Sequence, residues 1–271
     1  VLALLGGVVT YFISGQALKP LRRFSDKIEE VQAQNLSDSR IEESRVRELN
    51  QLSVSYNKML ERLSEAFETQ RQFTANAAHE LRTPLALMQV QLDQYHSTGH
   101  PGNDECAEQT ITMATEQNER LSKMVKTLLD MSELQTILRD EKIMVAALVE
   151  EVLADLEPLA MEKNIKLIGK CKDITMVGSD ILIYRLVYNL VENAIKYNHS
   201  DGQVIVTAER KEKHVHLSVK DTGNGIPKEL KERVFEPFFR VDKSRSRELG
   251  GVGLGLALVH EIVRTHDGSI T

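Results

Sequence analysis

Apolar residues recur along this chain in two rhythms, and the change from one to the other divides it near Asp140. Val1 to Ile13 is almost wholly apolar, but shorter than the roughly 20 residues that cross a bilayer. It opens on Val1-Leu2-Ala3-Leu4, without the basic start of a signal peptide. Residues 1–14 are therefore expected to be the end of a truncated transmembrane helix, with Lys19, Arg22 and Arg23 as its cytoplasmic flank; a buried N-terminal helix is the alternative. Leu21, Phe24, Ile28 and Val31 then set a heptad seam, a polar stretch from Gln32 to Arg47 interrupts it, and Leu49, Leu52, Tyr56, Met59 and Leu63 resume it. Two further seams follow, Leu81, Leu85, Met88, Leu92, Tyr95 and Ile111, Ala114, Leu121, Val125, Leu128. They flank the Gly- and Pro-containing stretch Ser97 to Asp104 and predict an antiparallel helical hairpin. Two helices cannot enclose both stripes, so two copies are expected to pair into a four-helix bundle, making a homodimer.

Beyond Asp140 the texture changes. Val204 to Ala208 and Val215 to Lys220 read as strands of a hairpin, with Val215, Leu217 and Val219 alternating. Helical patterns at Val145 to Glu162, Asp180 to Tyr197 and Leu254 to His266 surround them, an α+β layer. The expected fold is thus multidomain: an all-α coiled coil and dimeric four-helix bundle, then an α+β sandwich. A length of 271 residues agrees with more than one folded unit. Hydrophobic residues at 41% and charged residues at 27% describe a globular protein, and a net charge of -6 speaks against nucleic acid as a partner. Cys106 and Cys171 have no partner at metal-ligand spacing, which fits a reducing compartment.

Candidate chemistry begins at His79-Glu80-Leu81-Arg82-Thr83-Pro84. At about 100° per residue, His79 and Thr83 fall opposite the apolar seam, so both are expected to face water. Glu80 supplies a carboxylate that can orient the imidazole or take its proton, leaving a ring nitrogen as nucleophile. Pro84 removes a helical hydrogen bond to the Glu80 carbonyl and is expected to bend the helix there. The His-Glu-x-x-His zinc signature fails, because Thr83 stands at its second histidine. Phe73, Ala77, Leu81 and Leu85 are spaced by four three times running, a stutter that would unwind a coiled coil beside His79 and could absorb rotation or stretching arriving through Ser64 to Arg71.

Four later segments carry the second set of candidates. Asn189, Asn193 and Lys196 form a polar strip along one edge of the seam Ile183, Leu186, Val187, Leu190, Ala194; amide oxygens suit Mg²⁺ and the lysine suits phosphate. Asp221-Thr222-Gly223-Asn224-Gly225-Ile226-Pro227 ends a strand, with a carboxylate able to accept from an exocyclic amine and glycines that admit a flat base. Phe235-Glu236-Pro237-Phe238-Phe239 follows. Then come Arg240, Lys243, Arg245 and Arg247 before Gly250-Gly251-Val252-Gly253-Leu254-Gly255, basic groups and backbone amides fit for phosphate oxygens. This glycine run fits neither the Walker pattern nor the dinucleotide fingerprint.

In this order the segments resemble those of sensor histidine kinases: a HAMP relay, the phosphoacceptor box around His79, and the N, G1, F and G2 boxes of a Bergerat-type ATP domain. The resemblance implies a HAMP-like linker at 15–68, a dimerisation and phosphotransfer hairpin at 69–138 and an ATP-binding domain at 139–271. It implies ATP-dependent phosphorylation of His79 and transfer to an aspartate of a response regulator receiver domain, with Glu80 assisting and Thr83 positioning water to dephosphorylate the partner. It assigns the nucleotide to Asn189, Asn193, Lys196, Tyr197, Asp221, Gly223, Gly225, Ile226, Phe239, Arg240, Gly251, Gly253, Leu254 and Gly255, and Mg²⁺ to Asn189 and Asn193. Anchorage in a bacterial cytoplasmic membrane follows from the same likeness. A predominant phosphatase and a non-enzymatic relay with a vestigial site are the rival readings. The family continues past Ser269-Ile270-Thr271 into further strand, and Asp267-Gly268 stands where it usually has two glycines.

Overall fold

The computed structural model describes residues 40–41, 47–97, 104–134, 136–241 and 251–271. The apolar run 1–14, the seam through Leu21 to Val31, most of the polar connector, the stretch 98–103, and Lys243, Arg245, Arg247 and Gly250 lie outside the described residues. The chain divides into two compact units, Val1–Asn76 and Ala77–Thr271.

Helix α1 (Arg47–Ser97) supplies the described helix of the first unit. Connector residue Ile41 is strapped to it twice: its N–H donates to Asn57 Oδ1 at 2.9 Å, and Asn57 Nδ2 donates to its carbonyl at 2.8 Å. The buried line here is Ser53, Tyr56, Leu60, whereas Leu52, Met59 and Leu63 of the expected seam are exposed. The seam is therefore turned by about one position from the heptad reading.

In the second unit, α1 continues from Ala77 and is followed by α2 (Asp104–Glu133). In this hairpin Leu81, Met88, Tyr95, Ala114, Leu121 and Leu128 of the expected seams lie on the inward line, whereas Leu85, Leu92, Ile111 and Val125 lie off it. Along α1 the buried or half-buried line is Ala77, Leu81, Pro84, Met88, Gln91, Tyr95, spaced four and three in alternation. Burial passes from Leu81 to Pro84 rather than to Leu85, after the steps of four from half-buried Phe73 through Ala77 to Leu81, and the helix runs unbroken through Pro84. Along α2 the line is Thr110, Ala114, Gln117, Leu121, Met124, Leu128, Met131, one residue away from the expected Ile111 and Val125. Leu85 at 54%, Leu92 at 42%, Ile111 at 66%, Val125 at 44% and Leu129 at 56% remain exposed, so the hairpin keeps an apolar face outside its own pairing.

The rest of the unit is two-layered. Strand β1 (Glu141–Met144) leads into α3 (Val145–Glu162), then come β2 (Lys166–Cys171), β3 (Thr175–Gly178), α4 (Asp180–Lys196), β4 (Gln203–Lys211), β5 (His214–Asp221) and, after two 3₁₀ turns, α5 (Gly255–Thr265). β1 pairs antiparallel with β3; β2, β4 and β5 form a mixed sheet in the order β2-β4-β5, parallel then antiparallel. Strand alternation turns Val204, Val206 and Ala208 to the helices, where they are buried. α3 meets them with Val145, Leu148, Val149, Val152, Leu156 and Ala160 at helical period. α4 contributes Leu182, Ile183, Leu186, Val187, Val191, Ala194 and Ile195. The start of α4 is tied to the end of α5: the Ser179 N–H donates to His266 Nε2 at 3.2 Å, while His266 Nδ1 faces the Ile262 carbonyl at 2.8 Å.

Candidate active site

His79 stands on α1, exposed, as the helical phase predicts, and Thr83 one turn on is exposed too. The Thr83 hydroxyl donates to the His79 carbonyl at 3.3 Å. Glu80 is engaged: Arg240, at the end of the Phe235–Phe239 aromatic segment, donates through Nη2 to Glu80 Oε2. The Arg240 side chain is only 6% exposed, so the pair is largely withdrawn from water. Its other terminal nitrogen, Nη1, is buried with no hydrogen-bond partner among the described residues. A buried guanidinium nitrogen left in this way is suited to a further anionic oxygen.

The four segments expected to hold nucleotide come together around α4. A Cβ at Gly255 would lie 2.9 Å from Asn189 Oδ1 and 3.7 Å from Asn193 Nδ2, so this glycine keeps both amides clear of a side chain. A Cβ at Gly223 would meet the Tyr197 carbonyl at 2.5 Å, which seats the loop after β5 on the end of α4. Gly253, with φ +78°, lies against the backbone of Phe238 and Phe239, and the Phe238 N–H donates to its carbonyl at 2.8 Å. Phe238 itself has φ 65°, a left-handed conformation unusual for an aromatic residue and a mark of a constrained junction. Arg233 stacks over the Phe239 ring at 4.5 Å. Asp221 ends β5 exposed and accepts from the Gly223 N–H at 2.8 Å; Gly225, with φ 67°, and Ile226 are exposed beyond it. Gly251 is half-buried and Leu254 is buried at the head of α5.

Buried Asn198 fastens the floor of this arrangement. Its Oδ1 accepts from the Thr222 hydroxyl at 3.0 Å and from the His199 N–H at 3.0 Å, and its Nδ2 donates to the Gln203 carbonyl at 3.2 Å. The Gln203 N–H donates in turn to the Thr222 hydroxyl at 3.0 Å.

Lys196 is not free to the cleft. Its Nζ lies 2.9 Å from Glu192 Oε1, and Lys123 of α2 approaches the same oxygen at 2.8 Å. Seven residues away, Arg185 pairs with Asp130 of α2 at 2.9 Å. Lys123 and Asp130 are seven apart on α2, and Glu192 and Arg185 seven apart on α4, running in opposite directions. These two rungs of opposite polarity, roughly 10 Å apart along the helices, dock α4 antiparallel on the hairpin. Glu192, Lys123, Asp130 and Arg185 are absent from the sequence-based candidates. The signal that could have found them is the complementary seven-residue spacing, together with a carboxylate inside the apolar stripe of α4.

The charges at Glu192 shift one another. Burial is the largest influence on Lys196 and holds its ammonium below the ordinary lysine range, with Lys123 adding repulsion against the pull of Glu192. Burial is also the largest influence on Lys123, but there the Glu192 hydrogen bond and charge outweigh it and the value is raised. The Lys196 side chain is 18% exposed and the Lys123 side chain 56%, so burial weighs more heavily on the first, and the neighbouring Lys123 lowers it further. Burial alone would raise the Glu192 carboxyl; the two ammonium groups overcome it and hold the carboxyl below its ordinary value of 4.5.

A depressed carboxyl stabilises the fold above its unfolded value and loses that contribution as pH falls through the folded one. Glu192→Gln should therefore cost roughly 1–3 kcal/mol in urea denaturation at pH 7. The gap from wild type should persist down to about the free carboxyl value, roughly 4.3, narrow below it, and close only once pH lies under the depressed folded value. An undiminished gap at acid pH would show that the carboxylate charge is not its source.

With this geometry in view, likenesses to other proteins are specific. The family model for Histidine kinase-, DNA gyrase B-, and HSP90-like ATPase matches residues 178–271, that for the His Kinase A (phospho-acceptor) domain residues 69–137, and that for the HAMP domain residues 12–65. The signal transduction histidine-protein kinase ArlS of Staphylococcus haemolyticus is 31% identical over 273 residues, which cover 97% of this chain and 58% of that protein. The chain thus spans little more than half the length of the curated relatives it matches. Among solved structures, histidine kinase ThkA in complex with response regulator protein TrrA is 25% identical with a TM-score of 0.61, over 83% of this chain and 62% of that one. Full-length ShkA in complex with AMPPNP is 25% identical with a TM-score of 0.53, over 73% of this chain and 42% of that one. Carrying HAMP, phosphoacceptor and ATPase domains in that order, with this curated relative along almost its whole length, the chain belongs to the sensor histidine kinases of two-component systems.

Proposed function

We propose that this chain phosphorylates itself on His79 at the expense of ATP and passes the phosphoryl group to an aspartate of a response regulator receiver domain. The observation that carries the reading is the Arg240–Glu80 pair, which joins the end of the aromatic segment to the residue beside an exposed histidine. A His79 ring nitrogen attacks the γ-phosphorus, the bond from phosphorus to the β,γ-bridging oxygen breaks, ADP leaves, and the imidazole proton passes to Glu80 or to water. Arg240 engages only Oε2 of Glu80, which leaves Oε1 as an acceptor beside the imidazole. Release of Arg240 frees the second carboxylate oxygen and offers a cation to the transferring group, and the buried Nη1 without a partner fits that use.

In this reading the adenine amine meets Asp221, with Gly223, Gly225 and Ile226 around the base, and Tyr197, Phe239, Gly251, Gly253 and Leu254 complete the enclosure. Asn189 Nδ2 donates to the Arg185 carbonyl at 2.7 Å, which turns Oδ1 toward Gly255. That oxygen, with Asn193, suits a hydrated Mg²⁺, which would neutralise phosphate charge. The segments divide as linker 15–68, hairpin 69–138 and ATP domain 139–271. Among the described residues no helix is long and apolar enough to cross a membrane; anchorage in a bacterial cytoplasmic membrane through residues 1–14 and what precedes them rests on the likeness to ArlS and the HAMP match. The exposed apolar face at Leu85, Leu92, Ile111, Val125 and Leu129 supports a homodimer through the hairpin. Predominant dephosphorylation of the regulator is a second reading, favoured by one feature: Glu80 is occupied while Thr83 stays exposed.

His79→Gln should abolish acid-labile labelling from γ-labelled ATP and keep nucleotide affinity within about twofold; retained label would refute the nucleophile. Loss of label from a phosphorylated regulator, faster than labelling of wild type, would favour the phosphatase reading. Gly255→Ala pushes only on the end of the Asn189 side chain. It should leave melting nearly unchanged and weaken Mg²⁺-dependent ATP binding by about tenfold, roughly 1.4 kcal/mol; unchanged binding would remove Asn189 from the site. Light scattering should give twice the chain mass, falling to one with Leu85→Glu and Leu92→Glu together; a wild-type mass of one chain would end the dimer reading.

A further inference from the structure

Glu192 Oε1 has two claimants from different elements. Lys196 belongs to the same helix, four residues on, and Lys123 reaches across from α2 of the hairpin, at 2.9 and 2.8 Å. One oxygen cannot give each of two ammonium groups what it would give one alone. We propose that Lys123 and Glu192 are positioning residues for nucleotide binding: docking on the hairpin brings Lys123 into competition for the carboxylate that holds Lys196, and so lowers the cost of moving Lys196 to phosphate. The inference rests on the reading of Lys196 as a phosphate ligand.

Without the hairpin contact, Glu192 pairs with Lys196 only, and a phosphate must break that pairing to recruit the lysine. With it, the carboxylate keeps a partner when Lys196 leaves, so no buried anion is stranded. The Glu192 side chain is 12% exposed, which makes a lost partner costly. The coupling must be reciprocal: once Lys196 engages phosphate, Glu192 serves Lys123 undivided and the docked state is strengthened. The second rung, Arg185 to Asp130, aligns α2 with α4 without touching the shared oxygen, so it sets register while Lys123 transmits the coupling.

The experiment is a double-mutant cycle on the whole chain, reading ATP affinity with Mg²⁺ by titration calorimetry. Lys123→Met should weaken binding about fivefold or more although Lys123 lies on the hairpin, and Lys123→Arg should recover most of it. In a Glu192→Gln background, Lys123→Met should change nothing further; circular dichroism and melting verify that each variant is folded. Affinity unaffected by Lys123→Met, or the same loss in both backgrounds, overturns the proposal. Lys196→Gln separates the two readings: loss of affinity there with none at Lys123 refutes the coupling alone, whereas no loss at Lys196 refutes its role as phosphate ligand.

Discussion

Taking the Glu192 carboxylate out of water costs several kcal/mol, and it is two ammonium groups on one oxygen that offset this. Much else in the unit follows from that arrangement. Because one ammonium comes from the hairpin, the carboxylate is best satisfied when α2 lies along α4, and the Arg185–Asp130 rung then falls into place one heptad away. The charges sit at the border of an apolar stripe whose own contacts supply most of the burial. Ion pairs of this kind choose an alignment more than they add net stability.

Glycines complete the picture by what they leave out. Gly223 and Gly255 allow two separate loops to approach α4 at distances a Cβ would forbid or disturb, and Gly253 lets the chain turn at φ +78° against Phe238. Backbone carbonyls, amides and the Asn189 and Asn193 side chains are thereby gathered on one helix flank without a large side chain among them. The Asn198–Thr222–Gln203 network locks the β4–β5 edge to the end of that helix, so the floor is rigid where the loops meet it.

The legible part of the sequence was the part with a strong period. Val145–Glu162 was read to the residue, and α4 and the β4–β5 hairpin closely, because each buries a clean stripe of 3.6 or 2 residues. β1, β2 and β3 were not foreseen. They are four to six residues long, and their burial is irregular: in Glu141–Met144 only Ile143 is buried, and Lys166–Cys171 is exposed at both Lys166 and Lys170. In the hairpin Leu81, Met88, Tyr95, Ala114, Leu121 and Leu128 turn inward as the seams predict, but apolar side chains lie on two faces at once, and the inward face of α2 carries Thr110 and Gln117 while Ile111 and Val125 look out. Pro84 is buried on the inward line of α1, inside the continuous helix, a placement that its expected effect on the helix axis did not reveal. His79 and the box order were recoverable because they lie in contiguous segments. Glu192, Lys123 and Arg240–Glu80 were not, since those pairs join residues 69 and 160 positions apart.

Among the described residues, the two cations assigned here to phosphate are already on protein carboxylates, Lys196 on Glu192 and Arg240 on Glu80. Burying a cation without an anion is costly, so storing each one on a carboxylate offsets that cost inside a folded cleft. Under the proposed reading, nucleotide binding becomes an exchange of one anion for another, with no large desolvation step at the moment of recruitment. The two exchanges differ in consequence. Lys196 leaves behind a carboxylate that the hairpin can satisfy through Lys123, whereas Arg240 leaves behind Glu80, next to the imidazole, with a proton-accepting role to fill. The first exchange can therefore accompany binding, and the second belongs to the step that moves the phosphoryl group.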